Sequence, residues 1–246
     1  MGSIIVEGKR LSAPPGLEVG NFLDQPLCHF NNATRRSPVT EVIVHETVTR
    51  SQEATVAVLK QRNLGVHFIV RPDGYVCQHG DLALDLLWHA SEHNGVSVGI
   101  EVVNPFDPKF MPSGGPWDRV IDAPWAVTSS YVVPTKEQCE ATSLLVNWLT
   151  SADSGLTIPQ LWPGFRGTHA LAMGRLPDGK ILRPGVHAHH YFGHSDGAFL
   201  VLYTWLRLEP QINADEAYEV AIALATGAKG QVDLDDYFVQ NPYLQV

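Results

Sequence analysis

Three short runs rich in β-branched residues constrain the fold of this chain most, because such runs are typical of strands. They are residues 41–47, 66–70 and 97–103. Between the first two runs, Ser51 has the position of an N-cap, and residues 52–62 carry helix-forming side chains with one apolar face. Strands that alternate with helices in this way predict an α/β domain with a central sheet.

The composition limits the classes of partner. The chain has 246 residues, 44% hydrophobic and 17% charged, as expected for a globular protein with a sizeable core. A formal net charge of −9 argues against nucleic acid, which requires a clustered positive surface. No run is apolar and long enough to span a membrane, and the N-terminus lacks the pattern of a signal peptide. We therefore expect neither a nucleic-acid nor a membrane partner, and synthesis in the cytoplasm.

The three cysteines, Cys28, Cys77 and Cys139, are far apart and odd in number. They lack the spacing of a thiolate metal site and do not suggest a disulfide framework.

Loop signals and helix signals divide the rest of the chain. Residues 1–38 predict an irregular N-terminal extension packed on the core, and residues 105–134, rich in proline, glycine and tryptophan, predict a lid or groove wall. We predict a main domain over residues 39–208 that contains this insertion, and a helical tail of the same domain over 209–246.

Three helices are predicted in the second half of the chain. A capping box at residues 135–138 opens the first, which runs to about residue 151. Apolar patterns over 198–208 and 215–225 predict the other two.

Residues 185–197 hold four histidines and an aspartate, the ligand types that suit zinc. Residues 186–189 have the pattern of a short strand, which would place His187 and His189 on one face. Asp196 follows His189 by seven residues, enough chain to loop back beside it. The alternative is a histidine-rich surface loop, and a zinc site would need a further ligand from elsewhere.

One polar residue in each of two predicted strands is a candidate for a functional role. His45 ends the first run, where a central strand delivers side chains into a cleft, and Glu101 lies inside the third. A buried carboxylate is costly, so Glu101 needs a partner or a function unless the strand is at an edge and faces water.

The ordered set of these motifs resembles the zinc-dependent N-acetylmuramoyl-L-alanine amidases of type 2. That family includes the lysozyme of phage T7, the AmpD-type amidases and the peptidoglycan recognition proteins. The resemblance runs from about residue 39 to 208. It rests on the hairpin at 65–78, Trp-His-Ala at 88–90 and Gly-Ile-Glu at 99–101, which together are specific although each alone is weak.

The resemblance implies a central mixed sheet flanked by helices, with one zinc ion in a surface groove. It assigns the zinc ligands to His45, His189 and Asp196. It assigns proton transfer to Glu101 and stabilisation of the oxyanion to His194. Trp88, His89 and His67 match positions that line the groove or orient other groups.

Two departures from the family pattern leave one ligand open. The family usually separates its second and third ligands by roughly eight to ten residues, whereas His189 and Asp196 are seven apart. His187 is nine residues before Asp196 and is the alternative second ligand. Asp196 is also followed by Gly-Ala instead of the usual Pro-Gly.

The function implied is hydrolysis of the amide bond between N-acetylmuramic acid and L-alanine, with peptidoglycan or a muropeptide as substrate. Two alternatives stay open: a non-catalytic peptidoglycan-binding module, and a zinc hydrolase of an unrelated amide. Delivery to the cell wall by lysis or injection, as for a phage endolysin or effector, and a cytoplasmic recycling role are both compatible with the sequence.

Overall fold

The computed structural model describes residues 2–25, 29–165 and 170–233. Its helices are α1 (Gln52–Gln61), α2 (Lys136–Thr150), α3 (Ala198–Leu208) and α4 (Ala214–Ala225). Its strands are β1 (Ser3–Val6), β2 (Lys9–Ser12), β3 (Val19–Asn21), β4 (Ala33–Thr34), β5 (Glu41–Thr47), β6 (Phe68–Val70), β7 (Val76–Gln78), β8 (Asp85–Leu86), β9 (Ser97–Val103), β10 (Val120–Asp122), β11 (Ser130–Val132), β12 (Ala170–Ala172), β13 (Gly185–Ala188) and β14 (Gln231–Asp233).

Six of these strands form the central sheet, in the order β13-β5-β9-β6-β7-β3. The first four run parallel to one another, whereas β7 is antiparallel to β6 and parallel to β3. The sheet is therefore mixed. The predicted class, an α/β fold with a central mixed sheet flanked by helices, is confirmed.

The two faces of the sheet are covered differently. On one face, alternate residues such as Val44 and Ile100 pack into the main apolar cluster with α2, α3 and α4. On the other face, a smaller cluster holds Ile69 of β6 and Leu59 of α1. Because side chains alternate along a strand, His45 and Glu101 belong to the face of α1.

Local sequence signals account for the helix ends. The Ser51 hydroxyl accepts a hydrogen bond from the backbone N–H of Ala54 at the start of α1. Thr135 and Gln138 form the predicted capping box of α2. The three helices predicted in the second half of the chain are present as α2, α3 and α4.

Two local predictions were wrong. The segment 1–38 is not irregular: it contains β1 to β4, and β3 joins the central sheet beside β7. The strand predicted over 186–189 ends at Ala188, and His189 begins a 3-10 turn that runs to Phe192. His187 and His189 therefore do not share a strand face. The domain boundaries at 38 and 208 stay predictions.

The described part of the chain holds Cys77 and Cys139 as buried free thiols, whereas Cys28 lies outside it. Among the described residues, no helix has both the length and the apolar character needed to cross a membrane.

Candidate metal centre

Neighbouring parallel strands bring the candidate site together at their carboxyl ends. His45 on β5 lies directly opposite Glu101 on β9. On the other side of β5, Ala188 of β13 pairs with Val44, so His189 follows beside His45. The rings of His45 and His189 lie with their centroids 4.2 Å apart. Residues distant in sequence therefore meet because the strands are adjacent and parallel.

Asp196 completes a group of three candidate ligands. One ligand atom each from His45, His189 and Asp196 lies within 4.8 Å of the other two. Asp196 Oδ2 is 3.1 Å from His189 Nδ1 and 3.7 Å from His45 Nδ1. Tetrahedral zinc with bonds of about 2.0–2.1 Å would place its ligand atoms about 3.3 Å apart. The spacing and the donor set, two imidazoles and a carboxylate, therefore fit zinc.

A hydrogen-bond chain assigns the tautomer of His45. The Ser97 hydroxyl donates to the His93 carbonyl at 2.7 Å, so it accepts from His89 Nε2–H at 3.2 Å. His89 Nδ1 then accepts from His45 Nε2–H at 3.0 Å. This leaves a lone pair on His45 Nδ1, which is the atom directed toward Asp196. Burial lowers the pKa of His45 and of His89 well below the usual value, so both rings are neutral, as metal ligation requires.

Backbone hydrogen bonds hold the Asp196 carboxylate in place. The N–H of Glu46 donates to Oδ2 at 3.2 Å, and the N–H of Ser195 donates to Oδ1 at 3.2 Å. The N–H of His190 donates to the Asp196 carbonyl at 2.8 Å, which closes the loop between His189 and α3.

Gly197, which follows Asp196, has to be a glycine. Its φ is +86°, and a Cβ there would lie 2.1 Å from the carbonyl oxygen of Val44. The loop therefore lies against β5, and this contact explains the departure from the Pro-Gly of the family pattern.

Glu101 lies beside these ligands as a separate acid. It is 9% exposed, and its carboxylate has no hydrogen-bond partner among the described residues. Burial raises its pKa well above the usual value, and the charges of Asp196 and Glu46 raise it further. A buried, unpartnered carboxylate that faces a cavity is typical of a functional group.

His194 is exposed and stacks on His189, with ring centroids 3.7 Å apart and planes 12° from parallel. Burial lowers its pKa, with a further contribution from the nearby His189. A neutral imidazole still carries one N–H donor, so this position suits hydrogen bonding at the mouth of the site.

A cavity of about 400 Å³ opens over this group. The candidate ligands and Glu101 form its floor, and α1 forms a wall through Val58 and Leu59, which Arg62 continues directly after the helix end. The apolar face predicted for this helix thus borders the site. Of the insertion 105–134, Phe106 is the lining residue, whereas Trp125 and Tyr131 are buried in the main apolar cluster.

The three residues predicted to line the groove have different positions. His89 lines the cavity and contacts His45, but Trp88 is not among the described lining residues. His67 is fully buried: its Nδ1 accepts from the N–H of Gly99 at 3.1 Å, and its Nε2 lies 3.1 Å from the Asp85 carbonyl. This bonding suits a residue that orients the strands behind the site.

His187 is separated from the candidate ligands. It is fully buried, and its Nε2–H donates to the Arg183 carbonyl at 2.7 Å. It is not part of the group of candidate ligands found among the described residues. His169, for which the sequence suggests no role, lies outside the described residues.

Sequence reasoning missed Glu46 and the outer wall of the cavity. Glu46 is 4% exposed and lies directly after His45. An available signal was a further charged residue directly after His45, in a run whose centre is the apolar segment 42–44. The wall residue Arg62 could not be found this way, because charged residues near helix ends are common.

The fold and the site together define a class of protein: an α/β protein whose candidate metal centre has two histidines and one carboxylate. The profile of a family described as N-acetylmuramoyl-L-alanine amidase matches residues 35–198, about two thirds of the chain. The chain therefore belongs to the type 2 N-acetylmuramoyl-L-alanine amidase family, as the sequence motifs predicted.

Solved structures of similar proteins show more distant likeness. The N-acetylmuramoyl-L-alanine amidase LysC from Clostridium intestinale URNW is 15% identical with a TM-score of 0.46, over 79% of this chain and 97% of that one. The Drosophila peptidoglycan recognition protein SA is 12% identical with a TM-score of 0.41, over 70% and 80% of the two chains. No curated protein matches the sequence significantly.

Proposed function

We propose that the chain is a zinc-dependent amidase that hydrolyses the bond between N-acetylmuramic acid and L-alanine in peptidoglycan. The observation that carries this proposal is the meeting of three candidate ligands and the separate acid Glu101 in one cavity. A purely binding groove has no need of a buried carboxylate without partners. Family membership supports the same chemistry.

The residues of the cavity divide the chemical work. Zinc held by His45, His189 and Asp196 would polarise the scissile carbonyl and lower the pKa of the attacking water. Glu101 accepts a proton from that water and delivers it to the leaving nitrogen of L-alanine. A C–O bond forms and the C–N bond breaks, which yields a lactyl carboxylate and a free amine. His194 donates its N–H to the carbonyl oxygen as negative charge develops there.

The substrate would occupy the cavity between the candidate ligands and α1. Thr47, Thr49 and Arg62 offer polar groups along this wall, and Leu64 and Phe106 offer apolar surface. This mixture of polar and apolar side chains suits a peptide joined to a sugar. His89 also lines the cavity. Trp88 and His67 retain a proposed role in shaping the groove, which for His67 is indirect.

Mass spectrometry of the products tests the proposal. The protein is incubated with purified sacculi and, separately, with soluble muropeptides, with zinc or with a chelator present. We expect release of peptides with a free L-alanine amine, loss of activity with the chelator and recovery on addition of zinc. Co-sedimentation with sacculi without product would identify a binding module instead. The ratio of the two rates distinguishes a wall-lytic role from muropeptide recycling.

A further inference from the structure

Glu46 is the residue next to candidate ligand His45, and its side chain is directed to the opposite face of the sheet. It enters the main apolar cluster between the sheet and the helices, where it is 4% exposed. Burial raises the pKa of Glu46 to about 7, although its hydrogen bonds act in the opposite direction. A carboxylate in such a place is costly unless it is fully hydrogen-bonded.

Three donors satisfy this carboxylate. Tyr131 O–H donates to Oε1 at 2.6 Å, and Asn104 Nδ2 donates to the same oxygen at 2.7 Å. The backbone N–H of Gly197 donates to Oε2 at 2.6 Å. These three short bonds from neutral donors suit a charged acceptor. Since all three partners are donors, a side chain that presents an N–H of its own cannot replace the carboxylate.

The bond to Gly197 links Glu46 to the candidate metal centre, because Gly197 directly follows Asp196. The main chain of Glu46 also contacts the candidate ligand Asp196, because the N–H of Glu46 donates to Asp196 Oδ2 at 3.2 Å. Glu46 thus holds the Asp196 loop at two points, the carboxylate of Asp196 and the backbone N–H of Gly197. Gly197 lies so close to the Val44 carbonyl of β5 that the loop has no room to move toward the sheet at this residue.

Tyr131 connects this arrangement to the insertion 105–134. It lies on β11, is fully buried, and packs against Trp125 and Phe199 with centroid distances of 4.8 and 5.8 Å. Asn104 also donates to the Val132 carbonyl at 2.9 Å, so Glu46 and β11 are joined twice. The insertion is therefore linked to the Asp196 loop through Glu46 on the core side of the sheet, and it reaches the cavity through Phe106 on the other side.

We propose that Glu46 is a positioning residue of the metal centre. Together with Tyr131 and Asn104, it holds the loop after His189 so that Asp196 is pre-organised beside His45 and His189. This inference rests on the proposed zinc site. Hydrogen bonds to ligating carboxylates typically change metal affinity by about 10- to 100-fold when they are removed.

Zinc affinity of the full chain, measured by competition with a chromophoric chelator, tests the inference without any substrate. Tyr131→Phe removes one hydroxyl from the network and keeps the aromatic ring. We expect zinc to bind about tenfold more weakly. The matched control is Tyr218→Phe, because Tyr218 is also buried and donates to a backbone carbonyl, that of Pro134 at 2.9 Å, but does not contact Glu46. This control should bind zinc like the wild type.

Glu46→Gln gives the larger perturbation, because its amide must present an N–H toward one of the three donors. We expect a loss of affinity of about 100-fold and a changed visible spectrum of the cobalt-substituted protein. Thermal melting shows whether this variant folds; if it does not, the result with Tyr131→Phe decides.

Equal zinc affinity in the wild type, Tyr131→Phe and Tyr218→Phe would overturn the positioning role while leaving the zinc site intact. An equal loss of zinc affinity in both tyrosine variants would also overturn the positioning role, since the loss would then follow from removing any buried tyrosine hydroxyl. A wild type that binds no zinc would overturn the proposed function itself, and the inference with it.

Discussion

Replacing Glu101 by glutamine should separate metal binding from catalysis. Glutamine keeps the volume of the side chain but cannot accept a proton at neutral pH. The Glu101 carboxylate has no hydrogen-bond partner among the described residues, so the substitution breaks no hydrogen bond that the structure shows. It also removes an ionisable group from a buried position beside Asp196, where burial and neighbouring charges already raise the pKa of the acid. The apo protein should therefore melt at a temperature no lower than that of the wild type.

The catalytic effect should be large. A positioned general base contributes about two to four orders of magnitude in rate, which corresponds to about 3–5 kcal/mol of activation free energy. We expect the rate constant for release of L-alanine amine from a soluble muropeptide to fall by that factor. Zinc content should stay at about one ion per chain, as for a site with three protein ligands.

The assay combines product release, metal analysis and thermal melting on the same preparations. Glu92→Gln is the control, because Glu92 is exposed and does not line the cavity. If Glu101→Gln retained most of its rate, Glu101 would not be the base and His194 would be the remaining candidate. If Glu101→Gln lost both its zinc and its activity, Glu101 would act through the metal site. The separation of metal binding from catalysis would then be refuted as well.

Three further predictions concern the ligands, the cavity wall and the pH dependence of stability. His45→Ala and Asp196→Ala should each lose zinc and activity together, as measured by metal analysis and product release, whereas His187→Ala should keep its zinc. Arg62→Ala should raise KM for anionic muropeptides by about two- to fivefold, the usual worth of an exposed charge, because Arg62 lines the cavity and forms no ion pair with the described residues. His93 should make the protein less stable as the pH rises. Its burial lowers the pKa, but the 2.7 Å hydrogen bond to Glu41 and the charge of that carboxylate outweigh burial and leave the pKa raised. The contribution is therefore complete below about pH 6.5, the unfolded value, and is lost as the pH passes the higher folded value, which thermal melting between pH 6 and 9 will show.

Each of these predictions has a control within the chain. Full zinc occupancy in His45→Ala or Asp196→Ala would show that the ligands are assigned wrongly, and loss of zinc in His187→Ala would do the same. Lys60→Ala, in the last turn of α1 and close to Arg62 in sequence but outside the cavity lining, should leave KM unchanged. The pH slope should be flatter in His93→Gln than in the wild type; an equal slope in this variant would contradict the role of the His93–Glu41 pair.

Local patterns in the sequence determined most of the elements that carry the site. The β-branched runs predicted β5 and β9, and the polar residue in each run predicted His45 and Glu101 as functional candidates. The capping box predicted the start of α2, and the apolar run over 198–208 predicted α3. These features depend on the intrinsic preferences and spacing of neighbouring residues, which the sequence displays directly.

The tertiary structure alone decided which distant residues meet. His187 and His189 are indistinguishable by strand periodicity, and they were separated by the end of β13 at Ala188 and the 3-10 turn that follows. The link between Glu46 and Gly197 spans 151 positions of the chain, so no local pattern contains it. Two strands of the first 38 residues, β3 and β4, escaped prediction for the same reason, since they pair with the distant β7 and β8. In contrast, β1 and β2 pair with each other as a local hairpin. Register between parallel strands is set by packing across the whole sheet, and that packing is what brings His45, Glu101, His189 and Asp196 into one cavity.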